Sequence, residues 1–248
     1  MLIANKSSAP ANPDEPVEAR PASTVVLLRE SATGLETLML KRNKALMFAG
    51  GLWVFPGGAL DAADLEQAGG DVEQASRIAA CREAQEEAGI SPDISTLIPL
   101  SHWTTPAAEP KRFATWIYAA PIDAGLEAII DGSEIHESCW MSVQDAIAAH
   151  KRGEFGVLPP TFITLSDLCR FDTVADVLAS HARQTPPRVL PVLTFEGKRP
   201  ITLYAGDAGY EHRDNTVPGA RHRAILVDKV WQYTHEGVDP RYPALIGS

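Results

Sequence analysis

The stretch that decides the fold is REAQEEAGI, residues 82–90, which ends a helix predicted over Val72–Ala88. It carries Glu83, Glu86 and Glu87 within its first six residues. Glu83 and Glu87 are four positions apart, a like-charge spacing that costs an isolated helix about 0.2–0.5 kcal/mol. All three lie near the helix C-terminus, where the macrodipole disfavours negative charge. Because helix energetics do not favour this cluster, it predicts a cation site.

Carboxylates at helical offsets of three and four lie on one face and can share an ion. Mg²⁺ is typically held by one or two carboxylates together with substrate phosphates. A diphosphate repels an attacking water unless cations neutralise its oxygens. The cluster therefore predicts Mg²⁺ (or Mn²⁺) as a cofactor for chemistry at a phosphate.

The composition limits the range of partners. The chain has 248 residues, 45% hydrophobic and 22% charged, with a formal net charge of -10. This charge argues against nucleic acid or an anionic membrane as the partner, because both need a basic surface. The three cysteines indicate neither a disulfide framework nor a zinc site. With no membrane-length apolar run and no signal-peptide core, the sequence predicts a cytoplasmic protein.

Strand-like and helix-like segments alternate irregularly, which predicts an α/β protein with a mixed sheet between helices. Residues 1–22 are expected to form a disordered tail, and residues 23–248 one domain. Within that domain, 61–71 is expected to be a loop insertion, and a C-terminal extension from about residue 153 is expected to add strands to the sheet. The predicted strands are 24–28, 37–40, 52–55, 96–100, 113–120, 189–195, 201–205 and 224–233; the predicted helices are 72–88, one starting near Ser142, and 161–183.

A second motif precedes the helix. Phe55, Pro56, Gly57 and Gly58 follow an apolar run and predict a turn with unusual backbone freedom. Together with residues 82–90, this run resembles the Nudix box, the signature of Nudix hydrolases. The second half of the box fits at every fixed position. The resemblance implies a Nudix fold and a metal-dependent diphosphate hydrolase.

The two halves are farther apart than usual. Gly58 and Arg82 are separated by 24 positions, which is 10 residues longer than in the usual box. The first glutamate of the box is consequently displaced. Asp64, Glu66 and Glu73 are the candidates for its role.

By resemblance, Glu83, Glu86 and Glu87 are metal ligands, Gly58 offers a backbone contact, and Arg82 orients the cluster. Arg82, Glu83 and Glu86 are therefore expected to be catalytic. Some Nudix enzymes take the general base from the box and others from a distant loop. Here Glu134 and Glu137 are the downstream candidates, with Glu137 the first choice as a catalytic residue; both are alternatively solvated surface acids.

Substrate contacts are expected from Phe55, Gly57, Arg42 and Arg112, with Lys111 a further phosphate contact. Arg42, Leu46 and Gly50 are spaced as in Nudix coenzyme A diphosphatases, although Phe48 stands where those enzymes often carry histidine. The preferred substrate is thus coenzyme A or an acyl-coenzyme A, as a small-molecule nucleoside diphosphate partner.

Other functions remain open. ADP-ribose, nucleotide sugars and dinucleotides would use the same metal site. A Nudix-like module that senses a nucleotide without cleaving it is the alternative from another class, and the displaced first glutamate is the feature that favours it. No His-Glu-x-x-His or Gly-x-Ser-x-Gly pattern points to a zinc or serine hydrolase. The sequence leaves a homodimer open.

Overall fold

The computed structural model describes residues 17–32, 34–44, 49–130, 132 and 134–247. Residues 1–16 of the predicted tail lie outside the described residues, as do Leu46 and Phe48. The first strand begins at Arg20, three residues before the predicted start of the domain. The end of the predicted tail is therefore part of the sheet.

Twelve strands and five α-helices are found in the described ranges. The strands are β1 (Arg20–Ser31), β2 (Gly34–Arg42), β3 (Trp53–Val54), β4 (Gly57–Ala59), β5 (Ile98–Thr104), β6 (Phe113–Pro121), β7 (Ile135–Ser142), β8 (Arg188–Val189), β9 (Val192–Glu196), β10 (Arg199–Leu203), β11 (Arg221–Val227) and β12 (Val230–Glu236). The helices are α1 (Ala62–Gln67), α2 (Val72–Ala88), α3 (Val143–Lys151), α4 (Pro159–Leu168) and α5 (Val174–His181).

Strand β1 organises the main sheet. It pairs in parallel with β6, while its first half pairs antiparallel with β4 and its second half antiparallel with β2. The main sheet has eight strands, six of them in the order β3-β2-β1-β6-β5-β8, with β4 and β7 joined to β1 and β2. The predicted mixed sheet is confirmed. This arrangement sets the Gly57–Gly58 segment directly beside the start of β1.

Helix α2 has the predicted bounds. Asp71 caps its first turn by accepting a hydrogen bond from the Gln74 N–H, and Gly89 ends it in the left-handed conformation at φ 69°. Its sheet-facing side carries only small buried residues: Ala75, Ser76, Ala79, Ala80, Ala84 and Ala88. Small side chains let the helix axis approach the sheet closely, so its acidic last turns reach β4.

The predicted loop at 61–71 is mostly helical. Asp61 and Asp64 form a capping box, in which each side chain accepts a hydrogen bond from the other's main-chain N–H. This reciprocal cap stabilises α1 although it is only six residues long. The loop prediction was wrong, because the polar residues that suggest a loop in this segment form the N-terminal cap of a helix.

The C-terminal extension differs from its prediction in three respects. Apart from β8, its strands form a separate antiparallel sheet in the order β12-β11-β10-β9. The predicted strand 224–233 is a hairpin, because Asp228 and Lys229 both adopt positive φ, at 49° and 69°, as a tight hairpin turn requires. The predicted helix 161–183 is broken into α4 and α5.

Two buried clusters fill the spaces on either side of the main sheet. One joins the sheet to α3, α4 and the second sheet, and the other lies beneath α2. The three cysteines are half-buried and unpaired. Across the described residues, no helix combines the length and apolar character needed to cross a bilayer.

Candidate metal and diphosphate site

The three glutamates of α2 differ in their surroundings. The Glu83 side chain is 15% exposed, whereas that of Glu86 is 58% exposed. Glu87 Oε2 accepts a 2.9 Å hydrogen bond from the Gly57 N–H. Burial raises the pKa of Glu87 to about 7, against the opposing effect of that hydrogen bond, and the nearby Glu83 raises it further. Burial also raises the pKa of Glu83. Two buried carboxylates thus lack enough positive charge around them.

The glycines of the preceding motif leave room for these carboxylates. A Cβ on Gly57 would lie 2.6 Å from Thr24 Cα, and one on Gly58 would lie 2.6 Å from Glu83 Cδ. Both glycines belong to β4 and neither has positive φ. The predicted reason, unusual backbone freedom, was therefore wrong. Glycine is required at position 57 because the main chain passes too close to β1 for any side chain, whereas a side chain at position 58 would displace the Glu83 carboxylate.

Arg82 links the acids to the insertion. Its Nε and Nη2 donate to the two carboxylate oxygens of Asp64, at 3.2 and 2.9 Å. Its Nη1 donates to Glu83 Oε1 at 2.9 Å and to Glu86 Oε2 at 3.1 Å. Nη2 also donates to the Ala59 carbonyl at 3.2 Å. Arg82 thus contacts the acids that it is predicted to orient, and its role stays a prediction.

Of the three candidates for the role of the displaced first glutamate, Asp64 is the one that contacts Arg82. It is 2% exposed, and its oxygens are occupied by Arg82 and by the Asp61 N–H. The other two candidates lie at the surface: Glu66 is exposed, and Glu73 pairs with Arg77 at 3.9 Å. Asp64 is therefore the residue that fixes Arg82, six positions after Gly58.

The donor set fits a hard divalent ion in part. Glu83, Glu87 and the main chain of β4 supply oxygen atoms in one place, and a cation would offset the raised pKa values. Within the described ranges, no three acidic, histidine or cysteine side chains already surround a common point. The reason lies in Arg82, which holds Glu83 and Glu86 toward itself. Glu86, the most exposed of the three, has freedom to turn toward an ion.

The two candidates for the general base differ in their position relative to the cleft. Glu137 pairs with Lys41 at 2.8 Å and does not line the cleft beside α2. Glu134 lines that cleft, pairs with Arg42 at 3.2 Å, and is near enough to contribute to the raised pKa of Glu87. The pairing register of β2 with β7 shifts between Lys41 and Arg42, and of these two residues Arg42 lines the cleft and Lys41 does not. The first choice, Glu137, is therefore not brought to the site, whereas Glu134 is.

Only some of the predicted substrate residues line the cleft. Phe55, Gly57 and Arg42 line the cleft. Arg112 does not; its guanidinium donates to the carbonyls of Thr105 at 3.1 Å and Val17 at 2.7 Å. Its neighbour Lys111 lines the cleft instead. Arg112 therefore holds the chain segments together, and the adjacent lysine presents the positive charge.

The cleft has a volume of about 970 Å³, within the size range of small-molecule sites. The glutamates of α2 line it together with Arg20, Arg42 and Lys111. The C-terminal extension contributes a further wall that includes Leu193 and Trp231. Sequence reasoning missed this wall. The strands were recognisable, but no local signal showed that the second sheet returns to the site.

A sequence profile described as the NUDIX domain matches residues 19–159. Among curated proteins, a putative nudix hydrolase 7 of Caenorhabditis elegans is 27% identical over 184 residues, covering 60% of each chain. The acyl-coenzyme A diphosphatase NUDT19 of Gallus gallus is 29% identical over 150 residues, covering 57% of this chain. The chain spans 60% and 39% of the lengths of these two relatives.

Among solved structures, a NUDIX hydrolase from Alicyclobacillus acidocaldarius superposes with a TM-score of 0.62 at 22% identity. The match covers 68% of this chain and 99% of that one. This likeness confirms the predicted fold. Since the profile covers more than half of the chain and includes both halves of the box, the chain belongs to the NUDIX domain family.

Proposed function

We propose that this chain is a divalent-metal-dependent hydrolase of the diphosphate linkage in a nucleoside diphosphate derivative. Coenzyme A or an acyl-coenzyme A is the preferred substrate, and Mg²⁺ or Mn²⁺ is the cofactor. The observation that carries the proposal is the placement of Glu83 and Glu87 against the side-chain-free Gly57–Gly58 segment, in a cleft large enough for a nucleotide.

Each residue of the cluster has a distinct role in this proposal. Glu83, Glu86 and Glu87 hold the cation, and Arg82 keeps Glu83 and Glu86 oriented when the ion is absent. The bound ion would neutralise the diphosphate oxygens and position the attacking water. Arg42 and Lys111 add positive charge for the phosphates, because both line the same cleft.

Glu134 is the proposed general base. It lines the cleft and is held by Arg42, which orients its carboxylate. The base removes a proton from water as the water oxygen bonds to phosphorus and the bridging P–O bond breaks. With coenzyme A, the products are adenosine 3′,5′-bisphosphate and 4′-phosphopantetheine.

The coenzyme A preference rests on two supports. One is the spacing of Arg42, Leu46 and Gly50 before the glycine motif. The other is the similarity to the chicken acyl-coenzyme A diphosphatase. ADP-ribose, nucleotide sugars and dinucleotides remain alternative substrates. The contact of Asp64 with Arg82 supports the hydrolase over the nucleotide-sensing alternative, which was motivated by the displaced first glutamate.

A substrate panel tests the proposal. Coenzyme A, an acyl-coenzyme A, ADP-ribose, a nucleotide sugar and a dinucleotide are incubated with Mg²⁺, with Mn²⁺ or with a chelator, and the products are separated by chromatography. Metal-dependent cleavage of the coenzyme A compounds is expected to be the fastest. No cleavage of any diphosphate with either metal would refute the hydrolase. Cleavage of the other compounds alone would refute the preferred substrate.

A matched pair of variants connects the activity to the site. Glu86→Gln is expected to lower kcat/KM by more than about 10-fold, because it removes a metal-facing charge. Glu66→Gln, an exposed acid of α1 outside the cleft, serves as the control and should behave as the unmodified protein.

A further inference from the structure

The wall that the C-terminal extension adds to the cleft differs in chemistry from the rest of the site. Its cleft-lining residues come from the start of α4 and from β9, β10, β12 and the segment before β9. They are Leu158, Pro159, Pro160, Thr161, Pro191, Leu193, Pro200, Thr202 and Trp231. None of them is charged. Across the cleft lie the glutamates of α2 with Arg42.

The tryptophans of the cleft present carbon rather than polar atoms. The indole N–H of Trp231 donates to the Val157 carbonyl at 2.9 Å. The indole N–H of Trp103, which lines the same cleft, donates to Ser101 Oγ at 3.0 Å. Both donors are already used within the protein. These rings therefore offer only apolar surface to a ligand.

The apolar surface continues outward along β9. Side chains two positions apart share a face of a strand, so Phe195 lies on the same face as Leu193. The strand register places Phe195 opposite Pro200 and Leu193 opposite Thr202. Phe195 is 58% exposed. A line of apolar groups thus runs from the cleft toward solvent, ending in an aromatic ring that packs little within the protein.

A diphosphate or a ribose needs hydrogen-bonding or charged partners, and this wall supplies almost none. A long apolar chain needs only contact area. We propose that the wall formed by Leu193, Trp231 and Phe195 binds the acyl chain of an acyl-coenzyme A, which makes these residues determinants of substrate specificity. This inference rests on the function proposed above. Each methylene buried against the wall should improve binding, by roughly twofold if half of its surface is covered.

The test measures kcat/KM for free coenzyme A and for acyl-coenzyme A with short, medium and long saturated chains, below the micelle concentration. The readout is the ratio of kcat/KM for the long-chain substrate to that for free coenzyme A. In the unmodified protein the ratio should exceed about 10, and it should increase with chain length. Phe195→Ser should reduce it at least about threefold, and only for chains long enough to reach the outer part of the wall.

Two further variants distinguish binding of the acyl chain at the wall from a general effect of exposed apolar residues. Phe195→Trp keeps an aromatic ring and should preserve the ratio. Val72→Ser changes another exposed apolar residue, at the start of α2 outside the cleft, and should also preserve it. Because Phe195 is largely exposed, its replacement should leave the melting temperature unchanged.

The outcomes distinguish the two proposals. Cleavage of coenzyme A with no dependence on chain length, or an unchanged ratio in Phe195→Ser, overturns the acyl-binding wall and leaves the hydrolase intact. Cleavage of no coenzyme A compound of any length overturns both the wall and the preferred substrate. A chain-length dependence that Phe195→Ser removes and Phe195→Trp keeps supports the wall.

Discussion

Both carboxylate oxygens of Asp64 accept hydrogen bonds from Arg82, 18 positions further along the chain. Since Asp64 is buried and Arg82 also contacts Glu83 and Glu86, the pair connects the insertion to the acids that we propose as metal ligands. These contacts raise the pKa of Arg82 and keep it charged. The orientation of the cluster therefore depends on a residue that does not itself line the cleft.

Replacing Asp64 by Asn should test this dependence. Asn keeps an oxygen for the Asp61 N–H but removes the charge that holds Arg82, so Arg82 should shift toward the glutamates and compete with the cation. We expect kcat/KM to decrease about 10- to 100-fold, with weaker Mg²⁺ binding, as is usual when a partner of a metal ligand is lost. Steady-state kinetics and calorimetric Mg²⁺ titration would measure both. Full activity in a folded Asp64→Asn protein would contradict the role assigned to this pair.

Glu134 and Glu137 offer a matched comparison for the general base. Glu134→Gln should lower kcat by about 10²- to 10⁴-fold, the usual effect of losing a general base, with little change in KM. Glu137→Gln removes an equal charge three positions away, on the side where it pairs with Lys41, and should stay within about twofold of the unmodified protein. A large loss of kcat in Glu137→Gln together with a small loss in Glu134→Gln would identify Glu137 as the base.

Glu87 should make the metal-free protein less stable as pH rises. Its pKa is about 7 in the folded protein, against an ordinary value of 4.5, so the folded state binds this proton more tightly. Stability is therefore lost as pH rises from about 4.5 to about 7. Above pH 7, Glu87→Gln should increase the free energy of unfolding by about 1–2 kcal/mol, and below pH 4 it should change little.

Calorimetry at pH 4 and pH 8 in the presence of a chelator would measure this effect. The same variant should bind Mg²⁺ more weakly, because it lacks the carboxylate that the cation needs. Identical stability profiles for the two proteins would show that Glu87 is not strained by burial. Glu86→Gln provides the comparison at an exposed position of the same helix turn.

His150 should make the second sheet sensitive to acid. Its Nε2 accepts a hydrogen bond from the Trp231 N–H at 2.8 Å, so Nδ1 carries the proton and donates to the Phe155 carbonyl. Burial lowers the pKa of His150, since the charged ring would lose the Trp231 bond. The stability that the neutral ring contributes is complete above about pH 6.5 and is lost as pH falls below it.

Thermal unfolding between pH 5 and pH 7.5 should show that the free energy of unfolding falls by about 1–2 kcal/mol toward the acidic end. Tryptophan fluorescence should report the loosening of Trp231. In His150→Gln the part of the pH dependence that belongs to this ring should disappear. His136→Gln, at an exposed position, should retain the full dependence. The difference between the two variants isolates His150 from the other buried histidines.

Local signals predicted much of this fold. Helix α2 was predicted with both its ends, because Asp71 and Gly89 mark the ends by their own chemistry. The hairpin at Asp228 and Lys229 was missed, since neither residue usually adopts positive φ. The cap of α1 was missed for a related reason: Asp61 and Asp64 also suit a loop.

The residues of the site that lie on one helix could be predicted from the sequence. The residues that strands contribute were harder to predict. Glu83, Glu86 and Glu87 share a face at helical spacing, so their proximity follows from the sequence. Where β2 pairs with β7, the register shifts between Lys41 and Arg42, and no signal in the sequence predicts this irregularity. Only the fold, likewise, shows that Lys111 lines the cleft and Arg112 does not.

The lengthened box has a consequence for how such sites are recognised. Its additional residues enter after Asp64, as the end of α1, the Gly69–Gly70 turn and the first turns of α2, while Gly58 remains against Glu83 and Asp64 against Arg82. The connection between the two halves of the box can therefore change in length while these two contacts stay the same. A deletion that shortens the connection and preserves these two contacts should yield a working enzyme. Conversely, a search that treats the interval as fixed would overlook functional relatives.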